Sequence, residues 1–269
     1  MRGATGKALW LRSWESLGAS PRDAIERYVD AGFRWIAPVV LGHGGADRAE
    51  HNRGAELWTA IQALELPSWP TWILPTPQTW REELEPFLDF AVDVGAVGVI
   101  ADPELEWRDE LDEAHAFAAA LRSGCDARSL LFGFTSYGIP PADFPLEAFA
   151  VADLGIAQTY DRDLKFRADY FARALAAWRR RGFRLVYPAA GMHAHPRREP
   201  KTPAELRRHL AQIPAAPGVI AWPEVPLSIQ LWRVLASWVP RARGARGGAG
   251  GAIVVAILAG LAFSLAGKG

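Results

Sequence analysis

Two carboxylates separated by one residue, Asp102-Pro103-Glu104, follow a short apolar run at 97–101. On an extended strand, residues two apart share a face with Cα atoms about 6.5–7 Å apart. Two acids so placed repel each other, which raises one pKa and keeps a proton available near neutrality. Hydrolysis of a glycosidic bond needs this division of labour between a protonated and an ionised carboxyl group. A bare D-P-E tripeptide also fits a capping turn before Trp107, so its chemistry depends on the element that ends there. The spacing leaves retention and inversion of the anomeric configuration both open.

That element is one of eight apolar runs, at 8–14, 33–41, 70–75, 97–102, 129–137, 153–160, 183–189 and 218–222. Each is short and continuous, as expected of parallel strands covered on both faces. Helix-compatible segments follow them. Ser20-Pro21 is a cap and first-turn pair before 22–31, with Gly32 as the stop. Thr79 is placed to cap 80–95, and Thr202-Pro203 repeats the signal before 204–213. The segment 164–181 is amphipathic, carries arginines in its last turn and is followed by Gly182. Eight strands alternating with helices predict a single (β/α)8 TIM barrel over 1–240. No G-x-G-x-x-G follows the first strand, which argues against a dinucleotide-binding sheet.

Barrel chemistry sits at the C-terminal ends of the strands. Besides Asp102 and Glu104 as the catalytic pair, those ends offer Trp14, Glu15, Tyr137, Gln158, Tyr160, Asp161, Tyr187, Trp222 and Glu224 as substrate-binding candidates. Indole and phenol rings stack on sugar C–H faces while carboxylates supply acid and base. The set suits a neutral, hydroxyl-rich glycan. Trp10, Trp35 and Trp72 read as barrel packing.

Composition narrows the alternatives. Thirty Lys+Arg balance thirty Asp+Glu, so the basic surplus of a nucleic-acid binder is missing, and no nucleic-acid partner is expected. Half the residues are hydrophobic, which excludes a disordered chain. The one cysteine, Cys125, excludes an internal disulfide framework and has no base in its sequence neighbourhood, so it reads as a buried thiol. His193-Ala194-His195 could hold a metal, but no defensible set of further ligands accompanies it. Neither metal nor cofactor is expected.

The chain resembles glycoside hydrolase family 25, the lysozyme-type muramidases, and looser relatives among glycoside hydrolase barrels. Asp102-Pro103-Glu104 is similar to the Asp-x-Glu ending that family's fourth strand. Phe134-Thr135-Ser136-Tyr137 approximates its fifth-strand run, and Ala157-Gln158-Thr159-Tyr160 its sixth, with one extra residue. The resemblance implies a hydrolase acting on peptidoglycan or a related N-acetylated glycan. It implies Glu104 as general acid, Asp102 orienting the substrate's N-acetyl group, and Tyr160 near the reaction centre. The matches span about the central sixty residues. The family's first-strand Asp is replaced here by Leu11-Arg12-Ser13-Trp14-Glu15, with Glu15 the nearest carboxylate, and the eighth strand ends in Trp222-Pro223-Glu224. Two alternatives remain: a non-catalytic glycan-binding barrel, and a membrane-inserting or assembly protein with the barrel as scaffold.

The last alternative rests on the tail. Residues 241–251 form an Arg/Gly-rich linker, and 252–267 carry no charge. About 20 helical residues cross a bilayer, so 252–267 predict a C-terminal hydrophobic helix that spans or inserts into a lipid membrane. Ala252, Ala256, Gly260 and Ser264 recur at every fourth position, a spacing that favours self-association. No signal peptide is read at the N-terminus. The expected location is single-pass membrane association, with a phage or injection-particle lysin as one way for such a hydrolase to reach the wall.

Overall fold

The computed structural model describes residues 4–42, 52–159, 169–191, 193–194, 199–222 and 228–240. Eight parallel strands close into a barrel: β1 (Gly6–Leu11), β2 (Trp35–Gly42), β3 (Thr71–Ile73), β4 (Gly98–Asp102), β5 (Leu131–Tyr137), β6 (Leu154–Gln158), β7 (Val186–Gly191) and β8 (Gly218–Trp222). β1 pairs with both β2 and β8, in registers Ala8↔Trp35 and Ala8↔Ile220, which completes the ring. The (β/α)8 architecture expected from the sequence is present. A two-residue antiparallel ladder, His193–Ala194 with Glu199–Pro200, follows β7.

Seven helices among the described residues surround the ring: α1 (Pro21–Asp30), α2 (Ala55–Ala63), α3 (Trp80–Asp93), α4 (Leu111–Ala127), α5 (Tyr170–Arg180), α6 (Pro203–Ala211) and α7 (Ile229–Ser237). Ser20 caps α1 by accepting a hydrogen bond from the Asp23 amide at 3.1 Å, and Gly32 stops it with φ +79°. Thr202 and Glu205 form a reciprocal capping box on α6. Thr79 stands at the N-cap of α3 but does not cap it. Its hydroxyl pairs with Thr76 at 3.0 Å and reaches Glu83 at 3.4 Å instead.

Continuous apolar strands create two cores. Trp10, Trp35, Trp69, Ile100, Ile156 and Ile220 fill the barrel interior, while Trp72, Phe87, Phe117, Phe149 and Trp178 pack between strands and helices. The packing roles expected of Trp10, Trp35 and Trp72 are borne out: all three are buried. Cys125 is buried as well, and burial pushes its thiol up to about 12. Lys7 fastens the first strand to the last helix. Its ammonium donates to the carbonyls of Leu235, Ala236 and Trp238 at 2.7, 3.0 and 2.9 Å, at the C-terminus of α7.

The single-pass membrane location expected from 252–267 is corrected. No helix among the described residues is long and apolar enough to cross a membrane. The linker 241–251, the segment 252–267 and its small-residue face at Ala252, Ala256, Gly260 and Ser264 all lie outside the described residues.

Candidate active site

Asp102 is the last residue of β4, so strand alternation sets its direction. Ile100, two residues earlier, belongs to the barrel interior, and Asp102 continues the same face at the C-terminal mouth. On β6 the inward series is Leu154, Ile156, Gln158. The Gln158 amide reaches past β5 and donates to Asp102 Oδ1 at 2.7 Å, with both side chains buried. Glu104, half-buried, lies just beyond the strand and leads into a short 3-10 turn at Leu105–Trp107.

Electrostatics link the two carboxylates. Burial raises the Asp102 pKa well above the ordinary carboxylate value, and the nearby Glu104 charge raises it further; the Gln158 hydrogen bond pulls in the opposite direction. The pair therefore keeps a proton to higher pH than an isolated carboxylate would, and the two groups share it. With the proton on Asp102, its second oxygen donates a hydrogen bond while Oδ1 stays on Gln158; with the proton on Glu104, that group can act as an acid.

The loop carrying these acids is fixed from three sides. Ser136, buried at the end of β5, donates from its hydroxyl to the Pro103 carbonyl at 2.9 Å. The Trp107 indole donates to the Pro75 carbonyl at 2.5 Å. The Asp102 carbonyl accepts from the Leu74 amide at 3.0 Å, and Leu74 adopts φ +53° to make that bond. A bulky residue in the left-handed region is an uncommon, strained conformation, and here it lies beside the candidate carboxylate Asp102. The D-P-E segment is thus a braced strand end rather than a free capping turn. Ser136 was legible as a strand-end hydroxyl, whereas nothing in the sequence marks Leu74.

Across the mouth, Trp222 ends β8 half-buried. Its ring meets Trp10 at 5.2 Å and 83°, and the Arg12 guanidinium lies 5.9 Å from its centroid. Trp10 is held in turn by its indole hydrogen bond to Thr71 Oγ1 at 3.2 Å. Tyr137, at the end of β5, is half-buried and packs edge-on against Phe144 at 5.7 Å. Asp102, Gln158, Tyr137 and Trp222 therefore each end a strand, with Glu104 two residues past the end of β4.

The remaining candidates fare differently. Tyr187 is corrected: it lies near the start of β7, fully buried at the opposite end of the barrel. Its hydroxyl donates to the Ala4 carbonyl at 2.6 Å, and its ring occupies the space that a Cβ on Gly218 would need. Trp14 and Glu15 belong to a 3-10 turn after β1. Trp14 packs on the outer core, and exposed Glu15 lines a cleft of about 400 Å³ with Leu17, Gly18, Asp23 and Arg27. The structure thus places Glu15 beside α1, on the helix side of the first-strand exit. Tyr160, Asp161 and Glu224 lie outside the described residues. Arg12 is the mouth residue that the sequence reading passed over, although two-residue alternation from Trp10 pointed to it.

No family model matches the chain, and no curated protein matches it. Solved structures do. A class V chitinase from Pseudomonas fluorescens superposes with a TM-score of 0.61 at 12% identity, over 87% of this chain and 99% of the chitinase. The spore cortex-lytic enzyme SleL of Bacillus megaterium gives 0.57 at 8% identity, covering 89% and 75%. A xylanase-alpha-amylase inhibitor protein, crystallised with trehalose, gives 0.57 at 12%, covering 86% and 95%. At such identities the likeness establishes the (β/α)8 barrel that glycoside hydrolases of this kind share. It does not single out family 25. Enzymes and an inhibitor share the fold at nearly the same similarity, so the chemistry has to be argued from the site.

Proposed function

We propose that this chain is a glycoside hydrolase acting on peptidoglycan or a related N-acetylated glycan, with Glu104 as general acid and Asp102 as the partner of the substrate's acetamido group. The observation that carries the reading is the buried Asp102, hydrogen-bonded by Gln158 and electrostatically coupled to Glu104 at the mouth of the fourth strand. Glu104 delivers its proton to the glycosidic oxygen as the bond from that oxygen to the anomeric carbon breaks. The acetamido oxygen of the same sugar attacks the anomeric carbon, giving a cyclic oxazolinium ion, and Asp102 holds the amide in the attacking position. Water then opens the ring, giving its proton to Glu104, and the configuration at the anomeric carbon is retained. Substrate assistance of this kind replaces a second carboxylate nucleophile. Trp222 offers a stacking wall for the sugar.

Release of reducing ends from N-acetylated glycan strands tests the proposal, with Glu104→Gln as the control that keeps shape and removes the transferable proton. Wild-type release that Glu104→Gln abolishes supports it; undiminished release in the variant sinks it.

A second reading, a non-catalytic glycan-binding barrel, is favoured by one observation. The exit of β1 presents Arg12 toward Trp222 and turns Glu15 to the helix side, so no first-strand carboxylate among the described residues stands in for the family 25 Asp. Saturable binding of glycan with no reducing ends released at high protein loading would select this reading.

A further inference from the structure

Ser136 is a fully buried hydroxyl in an apolar layer. On β5 it follows Phe132 and Phe134 at two-residue spacing, and both belong to the core between strands and helices. Phe134 packs there against Phe149 at 4.3 Å and Trp178 at 5.5 Å. The Ser136 side chain therefore points behind the sheet, away from the mouth, where a bound glycan cannot touch it. Burying a hydroxyl in such a layer is costly unless it is hydrogen-bonded. The bond it makes among the described residues goes to the Pro103 carbonyl at 2.9 Å.

That carbonyl joins the two acids. Asp102 is held by groups of its own, the Gln158 amide on Oδ1 and the Leu74 amide on its carbonyl. Pro103 is buried and has no N–H, so its carbonyl is the one backbone group through which it can be hydrogen-bonded. Directly after it the chain turns: Glu104 has φ −130° and ψ −127°, outside both the extended and the helical regions. The Glu104 carbonyl then accepts from the Trp107 amide at 3.1 Å. Ser136 thus fixes the peptide plane entering Glu104, and Trp107 fixes the turn leaving it. Between them they set the direction in which the Glu104 side chain leaves the backbone.

We propose that Ser136 is a positioning residue for Glu104: from behind the sheet, its hydroxyl holds the Pro103–Glu104 peptide so that the Glu104 carboxyl group meets the glycosidic oxygen. The inference rests on the reading of Glu104 as general acid and adds a residue that acts through it. Without the hydroxyl, the Pro103 carbonyl loses a buried donor and its peptide can rotate. That displaces the acid while the Gln158 bond on Asp102 stays in place.

The test uses the full chain, with Ser136→Ala, Ser136→Thr and Ser136→Val, and Glu104→Gln alone and combined with Ser136→Ala. Thr and Val have the same shape, so they crowd the packed layer equally and only Thr keeps the hydroxyl. Each protein is assayed on an N-acetylated glycan and on a 2,4-dinitrophenyl glycoside, whose leaving group departs without a proton. Ser136→Ala is expected to lower kcat/KM on the glycan by about 10- to 100-fold, the scale of a misplaced catalytic group, and on the dinitrophenyl glycoside by about twofold or less. Ser136→Thr keeps the wild-type ratio between the substrates, and Ser136→Val loses it. Added to Glu104→Gln, Ser136→Ala costs nothing further on the glycan, because the proton it positions is already gone. Equal losses on both substrates, equal behaviour of Thr and Val, or additive losses in the combined variant overturn the proposal, since a merely structural hydroxyl gives those results. A second measurement needs no turnover. The Glu104 charge helps the pair to keep its last proton, so carbon-13 NMR titration of the carboxyl groups is expected to show that proton leaving at lower pH in Ser136→Ala and at the wild-type pH in Ser136→Thr. An unshifted titration in Ser136→Ala refutes the positioning role even if wild type cleaves neither substrate, a result that would sink the glycan reading separately.

Discussion

Replacing Gln158 by Leu removes the amide that holds Asp102 while keeping an apolar side chain of comparable bulk. The Asp102 Oδ1 then loses its 2.7 Å donor inside a buried environment. Leaving a buried acceptor without its donor costs about 1–3 kcal/mol. For a barrel of this size each kcal/mol lowers Tm by about 2–4 °C, so the loss is readable by calorimetry. If Asp102 must be oriented in the transition state, the same free energy is withdrawn from catalysis, and kcat/KM falls roughly tenfold to a hundredfold. The pH dependence separates this from a general loosening of the fold. Gln158 favours the ionised form of Asp102, opposing burial and the Glu104 charge, which both raise its pKa. Without Gln158 the pair keeps its last proton to higher pH, and the alkaline limb of the kcat/KM profile moves upward in pH. Reducing-end release across a pH series measures both effects. A Gln158→Leu variant with an unmoved or acid-shifted alkaline limb would refute the claim that the Gln158–Asp102 bond governs how firmly the pair holds its proton.

Further expectations follow from the same contacts. Because the folded-state pKa of Asp102 is raised, its contribution to stability is full below the unfolded carboxylate range and is lost as pH rises through the folded value. Asp102→Asn is therefore expected to flatten that decline, seen as a smaller drop in Tm between mildly acidic and alkaline buffers, while glycan cleavage is lost. A steeper decline in the variant contradicts the sign. Trp222→Ala removes the ring between Trp10 and Arg12 and is expected to weaken glycan binding by about 1–3 kcal/mol in calorimetry. Lys7→Ala removes three hydrogen bonds to the end of α7 and the contact over Phe33, and is expected to destabilise the chain by about 1–3 kcal/mol in denaturant unfolding.

The barrel was legible because each strand is a short apolar run covered on both faces, and because caps such as Ser20 and Thr202 announce their helices. The D-P-E pair was legible because Asp102 both ends an apolar run and ends the strand. Strand boundaries were less so, and they decided which aromatics reach the mouth. The run at 183–189 begins in the turn after Gly182, where φ is +101°, and the strand itself starts only at Val186. The expected register therefore moved Tyr187 to the wrong end of the barrel. The run at 8–14 erred the other way, since the strand ends at Leu11 and Trp14 enters a 3-10 turn. Ending the strand at Leu11 makes Arg12 the first residue of the mouth, on the inward face that alternation from Trp10 already indicated. Gln158 was found as a mouth residue, but its bond to Asp102 crosses an intervening strand, and only the closed ring brings the two together.

The role of Glu104 as proton donor is tested most directly by a leaving group that needs no proton. Wild type and Glu104→Gln are compared on an N-acetylated glycan and on the 2,4-dinitrophenyl glycoside of the same sugar. Glu104→Gln is expected to lose about 10²–10⁴-fold on the glycan, the scale of general acid catalysis, and far less on the dinitrophenyl glycoside. Equal losses on both substrates, or none on the glycan, would contradict that role.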